Sequence, residues 1–216
     1  MPNGAGSIEQ MLKHLGRLQR SLRDKFDALR IAFFHARAGT VSRAPTESER
    51  LMTVTLGRLI EAGYPIKLES SNEKWIAREY PNESSEVKYA YEETEAAPGH
   101  MRFLLITRVE RERSSERAAI VFREGIESYT KGAARVGARF VFKGNLQRWC
   151  ENAFAGFTLS ERTDAVVGCL LSFQKDRLVY SVLLRGIVIE SEEEVEELVY
   201  PFLARALRWS GEGAGS

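Results

Sequence analysis

Aromatic and basic side chains recur from Tyr64 to Arg113 at intervals that could hold an anionic chain. Trp75, Tyr80, Tyr89 and Tyr91 offer flat faces, Arg78, Arg102 and Arg108 offer planar cations, and Arg139 and Lys143 extend the basic series. Single-stranded nucleic acid is held by these two ingredients. A cationic groove follows the phosphates, and rings receive the bases, each stack contributing roughly 1–3 kcal/mol. These nine residues are therefore the candidate nucleic-acid-binding set, although Tyr and Trp are also common in half-exposed sheets for packing reasons alone.

Other chemistries leave less trace. There is no Gly-x-Ser-x-Gly, His-Glu-x-x-His or Gly-x-Gly-x-x-Gly, and the pair Gly132 and Gly137 lacks the Lys-Ser/Thr of a phosphate loop. His14, His35 and His100 are scattered, and Asp24, Asp27, Asp164 and Asp176 form no pair at a strand end. The glutamates of 92–95 and 192–197 read as a solvated loop and a solvated helix face. Cys150 and Cys169 are too few and too far apart for a zinc site or a disulfide framework, and are expected as buried thiols. No catalytic, cofactor or metal residue is assigned, and the expectation is a non-enzymatic protein without a cofactor.

Composition bounds the setting. The chain has 216 residues, 44% of them hydrophobic, enough for one sizeable domain or two small ones. Its longest apolar run, Ala165 to Phe173, is far short of the roughly 18–20 residues of a membrane helix, and Met1 to Ser7 contains no apolar signal core. A cytoplasmic protein that does not enter a membrane is expected. Arg outnumbers Lys by 23 to 8, and Asn and Gln together number nine, which fits a thermophilic or GC-rich source. The net charge of +1 conceals alternating blocks. Residues 1–43 and 100–150 are basic, and 44–99 and 151–216 acidic, so two basic surfaces could attract an anionic partner.

The elements that would position these residues follow from periodicity. Ile8, Met11, Leu15, Leu18, Leu22 and Leu29 fall at heptad a/d positions, which predicts a long helix over 7–38 with a basic outer face. Such a helix could pair with itself or with another chain. Thr46-x-x-Glu49 is a capping box for a second helix ending at Gly63, and the two would form an antiparallel hairpin. Four strands are predicted next, at 66–69, 74–80, 86–92 and 101–110, as a meander. Alternation groups Lys74, Ile76, Arg78 and Tyr80 on one face, and Val87, Tyr89 and Tyr91 on one face, without fixing which way the tyrosines point. Met101, Phe103, Leu105 and Val109 are expected in the core. A helix over 114–131, a strand over 135–143, a helix over 145–157 and a hairpin turning at Lys175-Asp176 follow. A Ser191-x-x-Glu194 capping box then opens a last helix, kinked at Pro201.

The expected fold class is therefore α+β, an N-terminal helical hairpin followed by antiparallel sheet or sheets packed with helices. The divisions are 1–44, the basic heptad helix; 45–113, a helix plus four strands; 114–209, an α+β half with the long hairpin and final helix; and 210–216, a disordered tail. These form either one unit with a protruding hairpin or two small lobes sharing a sheet. In outline, a helical segment followed by a four-stranded sheet carrying arginines and aromatics resembles the crenarchaeal single-stranded-DNA-binding proteins of the ThermoDBP type. The likeness is one of arrangement over residues 45–113, with no motif matched residue by residue. The leading expectation is single-stranded nucleic-acid binding by aromatic stacking and Arg/Lys phosphate contacts. The alternative is an assembly subunit associating through the heptad helix.

Overall fold

A computed structural model describes residues 39–66, 72–94, 102–132, 141–160 and 163–212. The chain divides into two units, Met1–Thr40 and Val41–Ser216, and the second carries every helix and strand named below. Its order is β1 (Val41–Arg43), α1 (Glu47–Arg50), α2 (Leu56–Glu61), β2 (Glu73–Glu79), β3 (Ser85–Glu92), β4 (Leu104–Arg111) and α3 (Ser115–Gly132). A 3₁₀ turn at Leu146–Arg148 precedes β5 (Asn152–Leu159), β6 (Val166–Lys175), β7 (Leu178–Arg185), α4 (Glu192–Leu198) and α5 (Tyr200–Glu212).

All seven strands belong to one antiparallel sheet, ordered β1-β2-β3-β4-β7-β6-β5. Two three-stranded meanders, β2-β3-β4 and β5-β6-β7, lie side by side, and the chain crosses between them through α3. This overturns the expected architecture of a helical hairpin leading into sheets packed with helices: the described chain is mostly sheet, with a few helices. The first arm of that hairpin, with Ile8, Met11, Leu15, Leu18, Leu22 and Leu29, lies outside the described residues. Its second arm is not one helix. After the capping box at Thr46 the chain leaves α1 at Leu51, and Thr55 caps a separate α2 by accepting the Arg58 N–H. The β-branched run Thr53-Val54-Thr55 explains the break, because hydroxyls this close to the backbone compete for helical hydrogen bonds; Thr53 Oγ1 donates to the Arg50 carbonyl at 2.8 Å.

One side of the sheet is the core. Alternation sends Tyr89 and Tyr91 of β3, Leu105 and Val109 of β4, Tyr180, Val182 and Leu184 of β7, and Cys169, Leu171 and Phe173 of β6 to this side. There they pack with Met52, Val54, Leu56 and Leu59 around the first helices, with Val195 and Leu198 of α4, Leu203 and Ala206 of α5, and Val199 at their junction. On the opposite side α3 packs against β6 and β7. Its Tyr129 hydroxyl lies 2.6 Å from Thr158 Oγ1 of β5. Close approach there needs small residues: a Cβ on Gly156 would stand 3.0 Å from the Tyr129 ring and 2.6 Å from that of Phe154.

Other local expectations divide. The helix beginning near residue 114 and the hairpin at Lys175-Asp176 form as the spacing predicts, with Asp176 at φ 49° in the turn. The Ser191 box is present. The last helix is broken rather than bent: Val199 closes α4 and Pro201, lacking an N–H, stands in the first turn of α5. The helix expected over 145–157 is overturned. Asn145 caps only the 3₁₀ turn, and Ala153 to Phe157 lie within β5, where Phe157, opposite Cys169, takes the core side and Phe154, opposite Ser172, the other. A short strand, β1, pairs with β2 in a stretch read as loop. Residues 67–69 of the first expected strand, Met101 of the fourth, most of the 135–143 strand and residues 213–216 of the tail lie outside the described residues; Ser210 to Glu212 continue α5. Among the described residues, no helix is long and apolar enough to cross a membrane.

Candidate interaction face

The sheet separates the predicted site residues onto opposite sides. Tyr89 and Tyr91 are 0% exposed and belong to the core. The Tyr89 hydroxyl donates to Glu73 Oε1 at 2.6 Å and accepts the Leu56 N–H at 3.0 Å. Tyr91 packs against Phe103, ring centroids 6.0 Å apart. Trp75 shares this side, half-buried edge-on against Tyr89 at 4.7 Å, with the Arg50 guanidinium 5.4 Å from its ring centroid. Three of the four rings proposed as a stacking platform thus face the core.

Arg78, Tyr80 and Arg108 lie on the opposite side, where they surround a residue that sequence reasoning passed over. Glu86, 2% exposed, accepts Arg108 Nε at 2.8 Å on Oε1, and both Arg78 Nη1 at 3.1 Å and the Tyr80 hydroxyl at 2.9 Å on Oε2. Burial pushes its carboxyl up, but Arg108, Tyr80 and Arg78 together outweigh burial and hold it below the usual carboxylate range. Burial in turn, with the Glu86 charge beside it, pushes the Tyr80 hydroxyl up to about 12. Arg78 and Arg108, expected to neutralise phosphates, are therefore already engaged with a carboxylate of their own chain.

Arg102 is exposed just before β4, where its carbonyl accepts Arg185 Nε at 3.1 Å. Lys143 is exposed in the other half of the chain, its backbone bridging that of Glu190 to Glu192. Arg139 lies outside the described residues. The eight described candidates thus do not converge on one surface.

A different set does share a surface. On the open side of β2, β3 and β4, register places Lys74, Ala90 and Ile106 in one row across the strands, and Ile76, Lys88 and Arg108 in the next. Ile76, Lys88, Ala90 and Ile106 are partly exposed, and Lys74 and Arg108 are exposed. Among the described residues, the helix on this side packs on β6 and β7 and leaves β2–β4 without such a cover. Lys88 stands directly opposite Arg108 in register, like charge against like. A signal for this surface existed in the sequence: once Val87, Tyr89 and Tyr91 take the core, Glu86, Lys88 and Ala90 must take the other side.

The cysteines are both buried thiols, pushed up to about 11 for Cys150 and about 12 for Cys169 by burial, which suits packing and not nucleophilic chemistry. Among the described residues, no group of three or more His, Cys, Asp or Glu could hold a metal ion. No family model, curated protein or solved structure matches the chain.

Proposed function

We propose that the protein is a non-enzymatic interaction module, and that the open side of β2–β4 receives an acidic, partly apolar segment of a partner protein. One observation carries this reading. Lys74 and Lys88 make no ion pair among the described residues, while Ile76, Ala90 and Ile106 stand partly exposed beside them. Apolar contact and unspent positive charge in adjoining rows suit a polypeptide that alternates carboxylates with aliphatic side chains.

Single-stranded nucleic acid is the second reading. It is supported by the same two lysines and by exposed Arg102, and it would rest on phosphate contacts, since Tyr89 and Tyr91 are committed to the core.

Fluorescence titration separates the two. A labelled peptide alternating Glu with Leu and a labelled oligo(dT) are each titrated with the full chain at low and at physiological salt. The first reading expects the peptide to bind with part of its affinity retained at higher salt, because apolar burial is not screened. Oligo(dT) binding that collapses with salt, without peptide binding, would replace it with the second. Binding of neither would remove both.

A further inference from the structure

Glu110 lies on the open side of β4, directly opposite Glu86 in register, so the sheet sets two carboxylates face to face. Like charges in such a cross-strand pair repel, and a single guanidinium mediates between them. Arg108 donates Nε to Glu86 at 2.8 Å, and its Nη2 forms an ion pair with Glu110 Oε1 at 3.0 Å. The two acids are not served equally. Glu86 has two further donors, Arg78 and Tyr80; Glu110, its side chain 12% exposed, has the Arg108 arm. The remaining charges near Glu110 come from Glu112, two residues on in the chain, and from Arg117 in the first turns of α3, whose Nε lies 4.0 Å from Glu112 Oε2. On the β7 side its register partner is Val179, which is buried and supplies no charge.

We propose that the Glu86–Arg108–Glu110 ladder is a proton-responsive latch: Glu110 carries a proton in mildly acid solution, and gives it up near neutrality to bind Arg108 across both carboxylates. The asymmetry of the ladder makes Glu110 the member that titrates. Burial, followed by the charges of Glu86 and Glu112, pushes its carboxyl up to about 7 against the pull of Arg108 and Arg117. Glu86, with three donors, is held low and stays ionised throughout. With Glu110 protonated, Arg108 keeps one charged partner in place of two, and the open face gains one positive charge. The latch works in the same way whichever partner the face receives.

The sign of the stability effect follows from proton counting. Between the ordinary carboxylate value, about 4.3, and 7, the folded chain holds a proton at Glu110 that the unfolded chain has lost. Stability is therefore highest below that window and falls as pH rises through it, and the contribution is gone above about pH 7.

The test compares urea unfolding of the full chain with Glu110→Gln from about pH 5 to pH 8, taking the difference between the two so that all other titrating groups cancel. Wild type should lose up to about tenfold in its folding equilibrium constant per pH unit, relative to the variant, and level off above pH 7. A pH-independent difference would overturn the latch. Should the variant fail to fold, the carboxyl carbon of Glu110 is followed in the wild-type chain by NMR. A midpoint near 7 supports the proposal, and one in the ordinary carboxylate range overturns it.

Discussion

The hydroxyl of Tyr89, in the middle of β3, accepts the backbone N–H of Leu56 at 3.0 Å and so fixes the first turn of α2 to the core side of the sheet. The same oxygen donates to Glu73 on β2. A ring that looked suited to stacking a base is instead a strut between helix and sheet. Replacing it as Tyr89→Phe keeps the ring and removes both bonds, leaving a buried N–H unpaired. The expected cost is about 1–3 kcal/mol. In urea unfolding, the midpoint should fall with an unchanged slope, while peptide and oligonucleotide affinities stay as in wild type.

Glu86→Gln removes the charge that Arg78, Tyr80 and Arg108 share. At neutral pH the variant should lose about 1–3 kcal/mol, toward the low end because Arg108 is half-exposed and water can take over part of its solvation. The deficit has a direction with pH. A carboxyl held below its ordinary value stabilises the fold above the unfolded value, and that contribution is lost as pH falls through the folded one. Wild type and variant should therefore converge in strongly acid solution, as followed by circular dichroism. A gap that widens there would contradict the arrangement.

Gly168 tests the packing of the second meander. A Cβ added there would stand 2.4 Å from the Leu184 carbonyl oxygen and 3.1 Å from the Arg185 Cα, both backbone atoms that cannot swing away. Gly168→Ala should cost about 1–3 kcal/mol or more through displacement of β6 from β7. Hydrogen exchange should show the loss of protection centred on β6 and β7, where these strands pair.

How much of this was legible in the sequence differs from element to element, for physical reasons. The capping boxes at Thr46 and Ser191 and the turn at Lys175-Asp176 are local, a few residues satisfying one another's backbone groups, and they form where the residue types put them. Alternation correctly grouped Val87, Tyr89 and Tyr91 on one face. Which face is the core was settled by what packs there, the Met52–Leu59 segment and the C-terminal helices, and that is nonlocal information. β5 was misread because Ala153, Phe154 and Phe157 fit a helical stripe as readily as a strand, and pairing with β6 decides between them. The fusion of two meanders into one sheet depends on β4 meeting β7 across about seventy residues of chain, beyond the reach of any local pattern. The candidate site suffered for the same reason. Residue type picked Arg78 and Arg108, but only the register brings Glu86 between them.

The dissociation constant of the Glu/Leu peptide for wild type and for the double variant Lys74→Glu, Lys88→Glu bears most directly on the open face of β2–β4. Both lysines are outside the core and make no ion pair among the described residues, so the variant should still fold, with Glu at 88 now facing Arg108 as an opposite charge. Two charge reversals within the binding surface should weaken the peptide by at least about tenfold. An affinity unchanged by the double substitution would place the partner elsewhere and contradict the assignment of this face.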